Sequence, residues 1–298
     1  MQPADPYNEV PKNPVIALLD LVNQSEIRSI KSVITRLLNI INDPRSTAKD
    51  LTDIIQVDPP LTAKVLKLAN SAYFSPREKI SEIKKAIIYI GFNNLKEILL
   101  SQKVVEIFKS EETIEGYSRN QLWRHSVAVA LMGKMIYRRE FGLPGENVYA
   151  AGLMHDIGII AIDQFLQDPF RKILHLSKEK RLPLSQAEKE VIGFTHADIG
   201  EAIGANWNLS PEITVPIGYH HSPTLAGESY LRLAGTLYIS EYCCHTNKFG
   251  FGARETVPAS RTAYLATLKQ LDITPSAIDL IFRDMAAEIA IMKRKGLL

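Results

Sequence analysis

Residues 55–74 of the chain read IQVDPPLTAKVLKLANSAYF, and this stretch predicts how the N-terminal half folds. Asp58 followed by two prolines is typical of a helix start, because an aspartate accepts hydrogen bonds from the first backbone amides and proline suits the first turn. The apolar residues that follow recur every three or four positions, which is the spacing of one helix face. Ala69, Asn70 and Ser71 then mark the end of a predicted helix.

Helical spacing continues on both sides of this stretch. Towards the N-terminus it runs over Val15–Val22 and Ile30–Ile41, after a proline-rich lead-in up to about Pro14 that we expect to be flexible. Towards the C-terminus, helices are predicted over about 80–90, 121–139, 145–165 and 185–207, and the Gly-rich residues 248–252 read as a loop. No segment alternates with a period of two for long enough to predict more than a short hairpin. The predicted fold class is therefore all-α.

The composition is that of an ordinary globular protein, with 46% hydrophobic and 23% charged residues. Lys and Arg number 35 against 33 Asp and Glu, so the charge balance gives no support for a nucleic-acid or membrane partner. The chain contains neither an apolar run of the roughly 18 residues that span a bilayer nor a signal-peptide core, so a cytoplasmic location is expected. The two cysteines, Cys243 and Cys244, are adjacent, which predicts no disulfide framework.

Five of the seven histidines fall in contexts that suggest a metal site: His125, His155, His196, His220 and His221. His155 is followed by Asp156, and neutral imidazole with carboxylate is a good ligand set for Fe, Mn, Ni or Zn. On a helix the two neighbouring side chains would point about 100° apart, so each could bind one ion, or Asp156 could bridge two. The number of candidate ligands exceeds what one tetrahedral site needs, which favours two divalent ions.

In this order the histidines and the His-Asp pair resemble those of the HD superfamily of metal-dependent phosphohydrolases. The N-terminal half narrows the resemblance to HDOD domains, whose hallmarks are similar to residues 55–74 and 80–95; residues 193–200, 206–211 and 220–223 match the second half. The resemblance covers roughly residues 28–225. It implies a multi-helix fold with an N-terminal helical half (28–115) and an HD-like half (116–225), between a lead-in (1–27) and a helical C-terminal extension (226–298).

The HDOD resemblance also implies a bacterial signalling or regulatory role, with a signalling protein as partner and a phosphoester or nucleotide as a further candidate ligand. Many HDOD domains have lost the HD ligands, whereas this chain keeps His125, His155, Asp156, His196, His220 and His221. Where relatives place an aspartate ligand, this chain has Glu241, which is equally open to being a ligand or an exposed helix residue. Asp156 is the candidate catalytic residue.

The sequence differs from active relatives at two places that matter for catalysis. Active phosphodiesterases of the related HD-GYP type carry a lysine where this chain has Ile159, and no GYP motif follows His220-His221. Three hypotheses remain open: a signalling module with a structural or sensory metal site, a metal-dependent phosphohydrolase acting on a nucleotide or cyclic dinucleotide, and an iron-based sensor.

Other polar residues carry weaker predictions. His175 is predicted to be structural, and His245 either forms a soft metal site with the cysteines or ends a helix. Asp198 and Glu201 follow His196 closely and could orient its ring through a hydrogen bond.

Overall fold

The structure of the chain is a computed structural model, which describes residues 13–25, 27–71, 74–110, 113–249 and 260–294. Within these ranges it contains sixteen α-helices, two short 3-10 helices and one two-stranded hairpin, so the all-α prediction is confirmed. The hairpin pairs β1 (Thr113–Ile114) with β2 (Tyr117–Ser118) in antiparallel register. The predicted lead-in up to residue 12 and the Gly-rich loop beyond Phe249 lie outside the described residues.

Six helices precede the hairpin: α1 (Pro14–Asn23), α2 (Ile27–Asn42), α3 (Ala48–Gln56), α4 (Pro59–Ala69), α5 (Ile83–Ile90) and α6 (Phe92–Val104). The helix predicted from residues 55–74 is α4, and its start is as expected, because the Asp58 side chain accepts a hydrogen bond from the Leu61 amide at 3.0 Å. Asn70 follows the end of α4, and its side-chain amide donates to the carbonyls of Leu66 and Ile80. Helix α5 ends at Gly91, whose φ of +90° suits a residue without a Cβ atom.

Ten helices follow the hairpin: α7 (Arg119–Glu140), α8 (Glu146–Met154), α9 (Ile157–Phe165), α10 (Gln167–Lys180), α11 (Leu184–Ile192), α12 (His196–Asn206), α13 (Pro211–Tyr219), α14 (Glu228–Thr246), α15 (Arg261–Gln270) and α16 (Pro275–Arg294). The single helices predicted over 145–165 and 185–207 were wrong. The first is broken at His155-Asp156, between α8 and α9. The second is broken after Gly193, which has a φ of +84° and ends α11.

The buried apolar residues form two clusters, and α2 lies between them. Leu37 of α2 belongs to the smaller cluster, which joins α3, α4, α5 and α6. Ile34 and Leu38 of the same helix belong to the larger cluster, which includes α7 to α9 and extends to α16. None of the helices in the described ranges is long and apolar enough to cross a membrane.

Candidate metal centre

The seven candidate ligands come from five separate places in the chain. They lie on α7 (His125), in the break between α8 and α9 (His155 and Asp156), at the first residue of α12 (His196), directly after α13 (His220 and His221) and on α14 (Glu241). The structure brings all seven together. Their roles as ligands stay predictions, but their convergence is a property of the fold.

Two glycines allow the helices to approach closely enough for this convergence. A Cβ atom on Gly152 would lie 2.6 Å from the Cα atom of Ala130, so α8 packs directly against α7 and carries His155 with it. A Cβ atom on Gly158 would lie 2.0 Å from the backbone oxygen of His196, so the start of α9 lies against the start of α12. Any side chain at these two positions would push the elements of the site apart.

The first group of candidate ligands consists of His125, His155, Asp156 and Glu241. Nε2 of His125 lies 2.6 Å from Oε2 of Glu241, and Nε2 of His155 lies 3.2 Å from the same oxygen. Nε2 of His155 also lies 3.1 Å from Oδ2 of Asp156, yet this buried nitrogen forms no well-directed hydrogen bond among the described residues. Glu241 therefore faces the site and is not an exposed helix residue.

The second group consists of His196, His220 and His221. Nε2 of His196 lies 2.8 Å from Nε2 of His221 and 3.4 Å from Nε2 of His220. Oδ1 of Asp156 lies 3.5 Å from Nε2 of His196 and 3.9 Å from Nε2 of His220. Since Oδ2 of Asp156 faces the first group, this carboxylate has one oxygen towards each group, although Asp156 lies in a helix break and not within the single helix that the sequence predicted.

Backbone carbonyls fix the orientation of three of the imidazole rings. Nδ1 donates a hydrogen bond in each case: from His125 to Phe249 at 3.0 Å, from His155 to Gly152 at 2.8 Å and from His220 to Ile217 at 2.7 Å. A carbonyl oxygen only accepts, so each Nδ1 carries a hydrogen and the neutral ring has its lone pair on Nε2. That lone pair points into the site.

Glu188, which the sequence analysis missed, orients the fourth ring. This fully buried carboxylate accepts from Nδ1 of His196 at 2.8 Å and from the backbone amide of His196, also at 2.8 Å. Asp198 and Glu201 were the wrong candidates: Asp198 forms a capping box with Thr195, and Glu201 lies beside Gly218.

One sequence signal could have identified Glu188. It shares the buried face of α11 with Leu184 and Ala187, at helical spacing. A carboxylate in that position requires a buried partner, because an unpaired buried charge is costly.

In the first group, the carboxylates and imidazoles shift each other's pKa. Burial lowers the pKa of His125, but Glu241 raises it more, so the pKa lies above its ordinary value. Burial raises the pKa of Glu241, but His125 lowers it more, and the pKa lies well below its ordinary value. His155 and Asp156 follow the same logic: the pKa of His155 is raised and that of Asp156 is lowered, against the effect of burial on each. Both carboxylates are thus ionised, and each favours the protonated form of the imidazole beside it.

In the second group, two of the three histidines are held neutral. Burial, followed by the neighbouring His221, puts the pKa of His220 well below its ordinary value. Burial and the neighbouring His196 lower the pKa of His221 to about 3. Burial also lowers the pKa of His196, but the Glu188 carboxylate outweighs it and the net shift is upwards. A metal binds neutral imidazole and ionised carboxylate, so metal binding would oppose the protonation that the raised pKa values of His125, His155 and His196 favour.

The donor set fits a transition-metal ion. Each of two groups, His196 with His220 and His221, and His125 with His155 and Asp156, offers ligand atoms within 4.8 Å of one another. Metal–nitrogen bonds of about 2.0–2.1 Å in a tetrahedral site place two nitrogens about 3.3 Å apart. The separations of 2.8 Å and 3.4 Å between nitrogens of the second group are close to this value. The nitrogen and oxygen donors suit Fe, Mn, Ni or Zn.

The remaining histidines lie apart from this set. His175 is exposed and its Nε2 lies 3.6 Å from Glu179 on the same helix. Cys243 and Cys244 are buried free thiols, and Sγ of Cys243 donates to the Tyr264 hydroxyl at 3.7 Å. In the described part of the chain, they do not belong with His245 to any group of three converging ligands.

Comparison with known proteins places the chain in a family. The model of the HDOD domain matches residues 27–223. The fold is also similar to an HDOD domain protein of unknown function from Geobacter sulfurreducens, at 27% identity and a TM-score of 0.75, over 95% of this chain and 97% of that one.

Two further solved structures share the fold at lower identity. One is a suggested phosphohydrolase from Shewanella amazonensis, 22% identical over 96% of both chains with a TM-score of 0.68. The other is a suggested signal transduction protein from Marinobacter aquaeolei, 18% identical over 97% of this chain and 67% of that one, with a TM-score of 0.72. An uncharacterized protein of Treponema pallidum is 24% identical over 214 residues, and the match spans 71% of this chain but 41% of that protein.

Proposed function

The chain belongs to the HDOD domain family, and on that premise we propose that it is a bacterial signal-transduction protein that has kept an HD-type centre for divalent transition-metal ions. The first group would hold one ion through His125, His155, Asp156 and Glu241. The second would hold another through His196, His220 and His221. Asp156 would contribute one oxygen to each.

The observation that carries this proposal is the direction of the imidazole nitrogens. Four buried rings use Nδ1 to bind a carbonyl or carboxylate and turn Nε2 towards the two acids of the centre. Buried polar atoms are normally hydrogen-bonded, yet of these four Nε2 atoms only that of His125 forms a hydrogen bond with one of the acids among the described residues. Nε2 of His155 departs furthest from this rule, because it lies within 3.2 Å of both carboxylates without forming a well-directed hydrogen bond to either.

A regulatory role is favoured by the residue at position 159. Active relatives of the HD-GYP type carry a lysine there, which supplies a positive charge next to the His-Asp pair. Here the position holds Ile159, which is buried in the larger apolar cluster. The centre therefore lacks that contact for a phosphate group.

Phosphoester hydrolysis is the alternative function, and the position of Asp156 is what favours it. A metal ion at such a centre can polarise a phosphoryl oxygen and lower the pKa of water, which is the chemistry that hydrolysis requires. The role of the protein would be to position the ions. Asp156 joins the two ligand groups, and Glu188 and the backbone carbonyls hold the imidazole rings. In this alternative the ions would also have to orient the phosphate without a lysine.

Metal content tests the proposal. The protein would be purified without chelator, and bound metal would be measured by mass spectrometry beside Asp156→Ala and His175→Ala. We expect about two transition-metal ions per chain, lost in Asp156→Ala and kept in His175→Ala, whose exposed ring is outside the centre. Absence of bound metal from the unaltered protein, even after incubation with Mn²⁺, Fe²⁺ or Zn²⁺, would refute the metal centre.

Hydrolysis of bis(p-nitrophenyl) phosphate by the metal-loaded protein separates the two functions. A regulatory protein should hydrolyse it no faster than the Asp156→Ala variant. Hydrolysis that disappears in Asp156→Ala and persists in His175→Ala would instead establish the phosphohydrolase.

A further inference from the structure

A cavity of about 690 Å³ is lined by helices of the N-terminal half, the HD-like half and the C-terminal extension. Its walls come from α4, α6, α7, α8 and α16. It shares no residue with the seven candidate ligands. A cavity of this size falls in the range that holds small organic molecules.

Most of the cavity wall is apolar. The apolar lining includes Leu61, Val65, Ile98, Leu131, Ile291 and Met292. Ile291 is 38% exposed, whereas Ile289 on the same helix is buried. An apolar surface left open inside a cleft is a site at which an apolar molecule can be taken out of water.

The α4 wall of the cavity has an excess of positive charge. Lys64 and Lys67 lie one helical turn apart and both line the cavity. Lys64 lies 3.4 Å from Glu106, but the same carboxylate also lies 3.4 Å from Lys103. Lys67 forms no ion pair within the described ranges. Lys64 and Lys103 thus share the carboxylates of Glu106 and Asp58, and Lys67 is the lysine of this wall that is left without an acidic partner among the described residues.

The acids on the other walls are mostly engaged. Glu97 pairs with Lys134, and Asp284 pairs with Arg139 at 2.6 Å. Glu288 lies on the α16 wall and forms no ion pair within the described ranges. Ser71 adds a buried hydroxyl oxygen that has no hydrogen-bond partner in the part of the chain described. At the α4 end of the cavity, Lys67 and the Ser71 hydroxyl are therefore the polar groups that have no partner among the described residues.

We propose that this cavity binds a small anionic amphiphile, whose acidic group lies at Lys64 and Lys67 and whose apolar body lies between α6 and α16. The lysines and the Ser71 hydroxyl supply hydrogen-bond donors for the acidic group. The apolar side chains of α6 and α16 would pack against the apolar body of the ligand. The inference concerns a site separate from the metal centre, and it stands whether or not metal binds.

Binding of 1-anilinonaphthalene-8-sulfonate to the full chain tests this assignment, with N-phenyl-1-naphthylamine as the matched neutral probe. We expect saturable binding of the sulfonate at about one site per chain. The double variant Lys64→Met, Lys67→Met should weaken sulfonate binding about fivefold and leave binding of the neutral probe unchanged. Lys84→Met, on the exposed face of α5, is the matched control and should change neither.

A cavity-filling variant provides the second arm. Ala287 lines the cavity from an exposed position on α16, so Ala287→Trp should abolish binding while circular dichroism shows an intact fold. Sulfonate binding that is unaffected by both Ala287→Trp and the lysine double variant would overturn the proposal.

Displacement of the bound sulfonate separates aliphatic from aromatic ligands. Displacement by laurate would indicate an aliphatic acid, and displacement by naphthalene-1-sulfonate alone would indicate an aromatic one. An amphiphile site would be contradicted if inorganic phosphate displaced the sulfonate at the same concentration. It would also be contradicted if neither laurate nor naphthalene-1-sulfonate displaced it.

Discussion

The carboxylate of Glu188 accepts hydrogen bonds from both the backbone amide and Nδ1 of His196, each at 2.8 Å. A single buried acid on α11 therefore sets both the position of the first residue of α12 and the tautomer of its ring. Such a partner holds a metal-binding imidazole in place and increases its basicity.

Replacement of Glu188 should weaken metal binding without removing a ligand. In Glu188→Gln the side chain keeps its size but loses its charge, and we expect the metal affinity of the second group to fall about 10- to 100-fold. Competition with a fluorescent chelator would measure this metal affinity. Asp198→Asn is the control, since Asp198 caps the same helix without touching the ring; an equal loss in both variants would mean that only the helix start matters.

The two ligand groups should be separable by metal stoichiometry. His221→Ala removes a ligand of the second group and Glu241→Gln one of the first, so each variant should retain about one ion per chain, whereas Asp156→Ala should lose both. Metal analysis after gel filtration gives the numbers. Loss of all metal from each of the single variants would instead indicate one ion shared by the whole cluster.

Gly158→Ala should disrupt the contact between α9 and α12. The added methyl group would meet the backbone oxygen of His196 at 2.0 Å, and a backbone atom cannot rotate away as a side chain can. We expect a loss of about 3 kcal/mol in the free energy of unfolding, measured by urea denaturation, together with weaker metal binding.

Gly142→Ala provides the comparison for that variant. Nothing lies within 4 Å of a Cβ atom at Gly142, and its φ is +65°, so alanine there tests backbone strain alone. We expect the free energy of unfolding to fall by about 1–2 kcal/mol and metal binding to stay unchanged. A similar, small effect for both variants would show that α9 and α12 can move apart freely.

Phe282 should influence the first ligand group from a distance. Its ring on α16 packs edge-on against Phe249, with 5.6 Å between centroids, and the Phe249 carbonyl holds Nδ1 of His125. Phe282→Ala should therefore lower the metal affinity of the first group about 3- to 10-fold and leave the second unchanged. The control is Leu280→Ala, at a largely exposed position of the same helix. If both variants lowered the metal affinity equally, the contact between Phe282 and Phe249 would not be what supports His125.

Asp58 should make the N-terminal half sensitive to acid. Burial raises its pKa, but Lys103 and the Leu61 amide lower it more, so the folded-state pKa lies below the ordinary value of 3.8. Because the folded form binds the proton less readily than the unfolded one, the stabilisation is present above that value and is lost as the pH falls through the lowered folded pKa.

The matching variant is Asp58→Asn, which removes the charge beside Lys103. We expect it to lower the free energy of unfolding by about 1–2 kcal/mol at pH 7, since the lysine is buried and, among the described residues, would keep an ion pair with Glu106 alone. Chemical denaturation from pH 7 to pH 3 should show the difference between the two proteins shrinking below pH 3.8. A difference that is constant over this range would assign the effect to capping.

Part of the fold was predictable from the sequence, because it depends on contacts between neighbouring residues. Asp58 before two prolines, and Gly91 after an apolar helix, act through their own backbone neighbours, so their roles follow from sequence and the structure agrees. The same is true of the all-α class, because helical periodicity is a property of short segments. The spacing of His125, His155-Asp156, His196 and His220-His221 identified the residues that converge, although not the way in which they are arranged.

The division into two ligand groups, the break at His155-Asp156 and the role of Glu188 depend on contacts between segments distant in the chain. Nothing near Glu241 indicated whether it faced the solvent or the site; that was decided by the packing of α14 beside α7, which puts its carboxylate 2.6 Å from His125. Gly152 and Gly158 look like ordinary helix residues in the sequence, yet each lies where two backbones meet. Periodicity specifies which face of a helix is buried, whereas which helix covers that face is decided only when close packing brings remote segments together.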